Sequence, residues 1–77
     1  MNKLHELIIG LEEMMEKLYH DKMSETSYDN KVILEGTKSS IVVTNEGDLH
    51  LISDKYGYKK FMSFKSLTKY LNDIYFG

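Results

Sequence analysis

The chain contains no cysteine, and this absence limits how so short a sequence can hold a fold together. Its 77 residues are near the lower limit for a domain that folds alone, because a chain of this size buries only roughly 60% of the surface that its unfolded form exposes. Neither a disulfide nor a thiolate metal site can supplement the core. We therefore predict one domain over residues 1–77, held by its apolar core or by a partner chain.

Composition and charge narrow the class of protein. Apolar residues make up 42% of the chain and charged residues 29%, which is typical of a globular protein. No apolar run approaches the roughly 18 residues that span a bilayer, and the glutamates of the N-terminal stretch are foreign to a signal peptide. Together with the absence of cysteine, these features predict a cytoplasmic protein without a membrane partner.

All ten positive side chains are lysines, and arginine, alanine and proline are absent. This bias indicates an AT-rich genome, such as that of a low-GC bacterium or one of its phages. Residues 1–30 carry three lysines against seven acids (−4), and residues 31–77 carry seven lysines against five acids (+2), which sum to the net charge of −2. Neither half is charged strongly enough to predict nucleic-acid binding or nucleic-acid mimicry.

Residues 3–20 predict an amphipathic helix. Its apolar stripe has helical spacing and comprises Leu4, Leu7, Ile8, Leu11, Met14, Met15 and Leu18. The polar face comprises Glu6, Glu13, Lys17 and His20. Ile9 and Gly10 depart from this pattern, because Ile9 projects among acids and a glycine inside a helix costs about 1 kcal/mol relative to alanine.

The middle of the chain predicts an antiparallel meander. Residues 23–30 have the composition of a loop, and strands follow at residues 31–35, 40–45 and 48–53, with a hairpin turn at Glu46 and Gly47. A fourth, weaker strand is predicted around residues 58–62. Alternation places six apolar side chains on one face of the sheet, namely Val32, Leu34, Ile41, Val43, Leu49 and Leu51.

A second helix is predicted over residues 64–76, with Ser63 as its N-cap. Its apolar stripe comprises Phe64, Leu67, Leu71, Ile74 and Tyr75, with Tyr70 on the flank. The predicted fold is α+β: an N-terminal helix, a meander of three or four strands and a C-terminal helix, with both helices on one face of the sheet. The other face is then polar or meets a partner.

No pattern of catalytic, metal-binding or cofactor-binding residues stands out. His5, His20 and His50 are scattered, and Glu16 with His20 supplies only two metal ligands. The five glycines occur singly, so no phosphate-binding loop is present. A chain this small also has little room for a pocket of roughly 300 Å³. We expect a protein that is not an enzyme and needs no cofactor.

The segment DKYGYKKF, residues 54–61, has two interpretations. In the first it is a turn in which Gly57 supplies a positive φ, Tyr58 and Phe61 pack against the sheet, and the lysines are solvated. In the second it binds nucleic acid through stacking tyrosines and lysines. That alternative site comprises Lys55, Tyr56, Tyr58, Lys59, Lys60, Lys65 and Lys69. The absence of arginine and the net charge of −2 favour the turn.

The acidic side of the first helix is the second candidate surface. It comprises Glu6, Ile9, Gly10, Glu13 and Glu16. A run of glutamates is ordinarily just a solvated face. An isoleucine among acids also suits an anchor for a basic protein partner, with the charges steering the encounter. A homodimer formed through this helix explains the same residues.

In size and order of elements the chain resembles small phage-encoded inhibitors of bacterial defence enzymes, anti-CRISPR proteins among them. Some of these proteins likewise place a helix, a short antiparallel meander and a further helix in one short chain. The resemblance covers the overall layout, and no motif matches residue by residue. It implies an interaction module that occludes another protein. The alternatives are a lysine-patch nucleic-acid-binding regulator and a homodimeric structural protein.

We expect thermal melts recorded with and without a strong chelator to superimpose, because cysteine is absent and the histidines are scattered. Circular dichroism at a helical wavelength is the measurement. A melting temperature that falls by several degrees on chelation would show that a metal contributes to folding.

Overall fold

The computed structural model describes residues 3–77. The elements in chain order are helix α1 (Lys3–Tyr19), strands β1 (Ser24–Ser27), β2 (Lys31–Glu35), β3 (Ser39–Thr44), β4 (Leu49–Ser53) and β5 (Gly57–Phe61), and helix α2 (Phe64–Phe76). All neighbouring strands pair antiparallel in the order β1-β2-β3-β4-β5. The predicted α+β class is confirmed, but the sheet has five strands and not three or four.

The additional strand is β1, which lies in the segment predicted as a loop. It pairs with β2 over its whole length, from Ser24 opposite Glu35 to Ser27 opposite Val32. All four of its side chains are exposed. The sequence of β1 has no alternation of apolar and polar residues, so only its backbone pairing with β2 identifies it as a strand. The fourth predicted strand is β5, which begins one residue earlier than expected.

Two glycine turns set the register of the sheet. Gly47 has a φ of +90° and donates its N–H to the carbonyl of Thr44 at 2.9 Å, which confirms the predicted hairpin between β3 and β4. Gly57 has a φ of +67° at the start of β5. The Tyr56 amide of the same turn donates to Ser53 Oγ at 3.1 Å. The predicted turn with Gly57 at a positive φ is thus confirmed for the first part of the 54–61 segment, and residues 57–61 form strand β5.

One apolar core holds the two helices against the sheet. All six apolar residues predicted for the inner face are buried, and Phe61 of β5 joins them. From the helices, the buried members of the same cluster are Ile8, Leu11, Met15, Tyr19, Leu67 and Leu71. Since both helices contribute to the cluster that the inner strand residues form, both cover the same face. Within residues 3–77, no helix combines the length and the apolar character needed to cross a membrane.

The predicted helix stripes are wrong at two positions. Leu18 is 57% exposed, and Tyr19 is buried in its place. The inward stripe of α1 therefore follows Ile8, Leu11 and Met15 to Tyr19, which leaves Leu18 at its edge in the last turn. Phe64, 44% exposed, similarly lies at the edge of the α2 stripe in the first turn.

The start of α2 agrees with the prediction from the sequence, whereas α1 ends one residue earlier than predicted. Ser63 caps α2 as predicted, since its Oγ accepts a hydrogen bond from the Ser66 amide at 3.3 Å. His20 was expected on the polar face of α1. It lies one residue beyond the end of that helix, with a φ of +54°.

A buried carboxylate connects the end of α1 to the rest of the fold. Asp21 is only 2% exposed. Its two oxygens accept hydrogen bonds from the Thr37 amide at 3.1 and 2.9 Å, and Oδ2 accepts one from the Tyr75 hydroxyl at 2.5 Å. A Cβ on Gly36 would lie 2.4 Å from Asp21 Oδ2, so the close approach requires a glycine. Asp21 thereby joins α1, the β2–β3 turn and α2.

The hydrogen bonds from Tyr75 and Thr37 keep the Asp21 carboxyl group ionised. Burial alone would raise the pKa of Asp21, but donation by Tyr75 and Thr37 outweighs burial and holds that pKa below its usual value. Burial and the Asp21 carboxylate raise the pKa of Tyr75 to about 12. The phenol therefore remains a hydrogen-bond donor at neutral pH.

We expect Tyr75→Phe to lower the free energy of unfolding at pH 7 by about 1–3 kcal/mol, because it removes a donor to a buried carboxylate. Urea titrations measure this difference. The control is Tyr28→Phe, since Tyr28 is exposed and its hydroxyl has no partner among the hydrogen bonds described above. The control should change stability by no more than about 0.5 kcal/mol.

The same variants test the pH dependence. Because the pKa of Asp21 is lowered in the folded state, its contribution is fully present at neutral pH. That contribution is lost as the pH falls below the unfolded value of about 3.9 and through the folded value. The Tyr75→Phe protein should therefore lose less stability than wild type over this acidic range. Parallel losses in the two proteins would contradict this role of the Tyr75 hydroxyl.

Candidate interaction surfaces

The first candidate surface is the acidic face of α1, which we define as Glu6, Ile9, Gly10, Glu13 and Glu16. The inward positions of the helix are taken by Ile8 and Met15, so a rotation of about 100° per residue turns Ile9 away from the core. Ile9 is 40% exposed, as predicted. The other four residues are exposed as well. The structure therefore brings all five to the solvent side of one helix.

Gly10 has no packing role within the described chain. A Cβ built on it meets no heavy atom within 4 Å. The helix thus carries the cost of a central glycine, about 1 kcal/mol, although residues 3–77 leave room for a side chain. The glycine exposes bare backbone next to Ile9. Such a position lets a second molecule approach the helix backbone closely.

Glu12 extends the negative charge of this helix toward the sheet edge. It is half-buried beside Glu25 of β1, and burial followed by the charge of Glu25 raises its pKa. Glu12, Glu13, Glu16 and Lys17 line a shallow depression of about 150 Å³. Sequence reasoning did not single out Glu12, because its contact with Glu25 depends on the unpredicted strand β1.

The second candidate surface is a groove between the β4–β5 turn and α2. We call it the lysine–tyrosine groove; it is lined by Tyr56, Lys69, Tyr70 and Asp73 and has a volume of about 320 Å³. The ring of Tyr70 lies edge-on to Tyr56 with centroids 4.9 Å apart, and 5.0 Å from the ring of Phe61. Lys59 Nζ lies 5.3 Å from the Tyr70 centroid. These contacts hold the aromatic wall in place.

Asp73 neutralises part of this groove. Its Oδ2 lies 2.7 Å from Lys55 Nζ and also accepts a hydrogen bond from the Tyr56 hydroxyl. The hydrogen bonds from Lys55 and then Tyr56 lower the pKa of Asp73. A lysine and a tyrosine predicted for nucleic-acid binding are therefore engaged by a carboxylate of the same chain. No local pattern indicated this, because Asp73 is 17 residues from Tyr56.

The predicted nucleic-acid residues do not form one surface. Tyr58 and Lys60 lie on the outer face of the sheet, where Tyr58 shares a hydrogen bond with His50 and Lys60 Nζ is 3.7 Å from Asp48. Tyr58 was predicted to pack against the sheet together with Phe61. Alternation puts it on the opposite, outer face, where its ring lies 5.1 Å from that of His50 and remains 63% exposed. Lys59 shares the face of Phe61 and is only half-exposed.

Lys65 and Lys69 are both exposed on α2, one turn apart. Of these two, only Lys69 lines the groove. The structure thus brings together Lys55, Tyr56, Lys59 and Lys69, and it separates them from Tyr58 and Lys60. Of the five lysines predicted for a nucleic-acid site, Lys55 and Lys60 are each paired with an aspartate, and Lys60 also lies on the other face of the sheet.

The outer face of the sheet is neither fully polar nor covered by the helices. Ile33 lies opposite Val42, and Ile52 lies opposite Tyr58. Ile52 and Tyr58 are exposed, whereas Val42 is buried among its neighbours. This face therefore presents scattered apolar side chains among hydroxyl and charged groups, which is ordinary for one side of an antiparallel sheet.

Residues 3–77 contain no group of three or more His, Cys, Asp and Glu side chains placed to hold a metal ion. In the same range, every buried side-chain nitrogen and oxygen has a hydrogen-bond partner. The hydrogen bonds of Asp21 continue through the Tyr75 hydroxyl to Ser39 Oγ, which lies 2.9 Å from the Tyr75 hydroxyl oxygen. Comparisons with protein-family models, curated protein sequences and solved structures find no match to this chain.

We expect no submicromolar binding of labelled single-stranded DNA or RNA at about 150 mM salt, because Asp73 and Asp48 offset the charge of Lys55 and Lys60. Any binding should weaken steeply as the salt concentration rises, since lysine contacts act by counterion release. Fluorescence anisotropy is the measurement. Tight binding that persists in high salt would instead favour the nucleic-acid-binding regulator.

Proposed function

We propose that the protein is a non-enzymatic interaction module that binds another protein through the acidic face of α1. The observation that carries this proposal is the exposure of Ile9 beside Gly10 on a helix whose other large central apolar residues face the core. Within residues 3–77, Ile9 is not among the apolar residues that form the core cluster or pack against it. The position of Gly10 has open space around it.

The chemistry of this face suits a basic partner. Glu6, Glu13 and Glu16 attract lysine and arginine side chains and speed the encounter. Ile9 supplies an apolar anchor that loses water on contact, and anchors of this kind contribute most of the binding energy of an interface. The bare backbone at Gly10 lets the partner approach closely. Charge and shape thus support one binding surface on one helix.

The most concrete form of this function is a phage or mobile-element inhibitor that occludes a host or defence enzyme of the CRISPR type. Enzymes that handle nucleic acid carry basic surfaces for the phosphate backbone. A small acidic face with an apolar anchor can cover such a surface. The net charge of −2 supports occlusion by shape rather than imitation of a nucleic-acid duplex. The layout of the elements and the AT-rich bias of the chain also support this form.

We expect Ile9→Lys to leave folding intact and to weaken partner binding by at least about 30-fold, which corresponds to the roughly 2 kcal/mol of a central anchor. The matched control is Leu18→Lys, because Leu18 is a second exposed apolar residue of α1, about 180° around the helix from Ile9. Tagged proteins are used to capture partners from a lysate of a low-GC bacterial host, and the captured enzyme is assayed with and without the protein.

Gly10→Ala completes this series. It should keep or raise the melting temperature, because alanine favours the helix and finds free space. It should also weaken capture if the partner contacts the helix backbone. Equal capture by wild type and all three variants would exclude the acidic face of α1 as the binding surface. A large loss of stability in Ile9→Lys would contradict the exposure of Ile9.

A further inference from the structure

The two candidate surfaces of this chain are complementary in charge. Around the lysine–tyrosine groove, Lys55, Lys59 and Lys69 stand against Asp73, a local balance of +2. On the acidic face of α1, three glutamates surround Ile9. Glu12 adjoins Glu13 and Glu16, and Lys17 lies at the edge, so that the local balance is −3. Opposite charges of this size attract at close range in physiological salt.

The same two surfaces are also complementary in polarity and shape. One wall of the groove is aromatic and is formed by Tyr56 and Tyr70, whose rings touch. The groove volume of about 320 Å³ is larger than one isoleucine side chain. The Tyr70 ring is held by Tyr56, Phe61 and Lys59, so the groove needs little rearrangement to receive a ligand. Ile9 is an exposed aliphatic knob on a regular helix. In the monomer Ile9 remains exposed and the groove remains open.

We propose that the acidic face of α1 of one molecule docks into the lysine–tyrosine groove of a second copy of this chain. Ile9 enters the groove and packs against the touching rings of Tyr56 and Tyr70. The glutamates face Lys59 and Lys69. Lys55 stays paired with Asp73. This inference rests on the proposed function of the acidic face of α1 as a binding surface. It states that a second molecule of this chain is also a partner of the acidic face of α1.

The contact is head-to-tail, because it joins two different surfaces. Such contacts extend into larger assemblies with rising concentration unless the geometry closes them into a ring. Self-association also covers Ile9, so a molecule in this contact cannot bind another protein through the same anchor. Self-association therefore competes with target binding and keeps the apolar anchor out of water when no target is present.

The head-to-tail arrangement has a specific test with two variants. Ile9→Lys destroys the knob and keeps the groove, whereas Lys69→Glu changes the groove and keeps the knob. Each variant alone should be monomeric, and an equimolar mixture should form a one-to-one complex that grows no further. Lys31→Glu is the matched control, because it makes the same charge change on β2, outside both surfaces. Light-scattering mass is measured for each protein and for the mixture.

For the wild type and Lys31→Glu, we expect a mass that rises with concentration and falls back toward the monomer as salt is added. Ile9→Lys and Lys69→Glu should each weaken self-association at least about tenfold. A wild type that stays monomeric up to about 1 mM would overturn the proposal. Association of Lys69→Glu like that of wild type, or a mixture that remains monomeric, would also overturn it and would point instead to a symmetric contact or to none.

The target-capture experiment separates this inference from the proposed function. A monomeric wild type whose target capture depends on Ile9 would overturn self-association and leave the proposed function standing. Concentration-dependent mass together with target capture that is unaffected by Ile9→Lys would support self-association and overturn the proposed function.

Discussion

The arrangement of this fold depends on the hydrogen bonds that the buried carboxylate of Asp21 accepts. Asp21 lies two residues after the end of α1. Its carboxylate accepts hydrogen bonds from the Thr37 amide in the β2–β3 turn and another from Tyr75 near the end of α2. Three segments distant in sequence are thus fixed at one point. A domain without a disulfide has few other means of holding two helices in register over one sheet. The orientation of α1 leaves Ile9 exposed to solvent, and α2 forms one side of the lysine–tyrosine groove.

This arrangement is stable only because the carboxylate is fully hydrogen-bonded. Moving an ionised carboxylate out of water costs several kcal/mol, and an amide and a phenol must offset that cost. The requirement extends to Gly36, where any side chain would collide with Asp21. The apolar core sets the overall stability, as in any small domain. The Asp21 hydrogen bonds add specific connections between the segment after α1, the β2–β3 turn and α2.

Local signals predicted much of this fold, and contacts between distant residues account for what they missed. The six inner-face residues and the Ser63 cap follow from alternation and capping, which need only neighbouring residues. Strand β1 was missed because its four exposed side chains carry no apolar pattern. The exposure of Ile9 was predictable from helix geometry. The Asp21–Tyr75 and Tyr56–Asp73 contacts join residues 54 and 17 positions apart, and no short pattern encodes either of them.

Asp73 also affects whether the lysine–tyrosine groove favours nucleic acid or protein as a partner. Nucleic-acid affinity grows with the number of phosphates that cations neutralise, so each lysine paired within the chain lowers it directly. Docking of a protein depends less on the number of charges, because an apolar side chain packed against Tyr56 and Tyr70 would gain affinity by leaving water. An acid in the groove therefore weakens nucleic-acid binding more than it weakens protein docking. Specificity often arises in this way, from a group that penalises the competitor more than the intended partner.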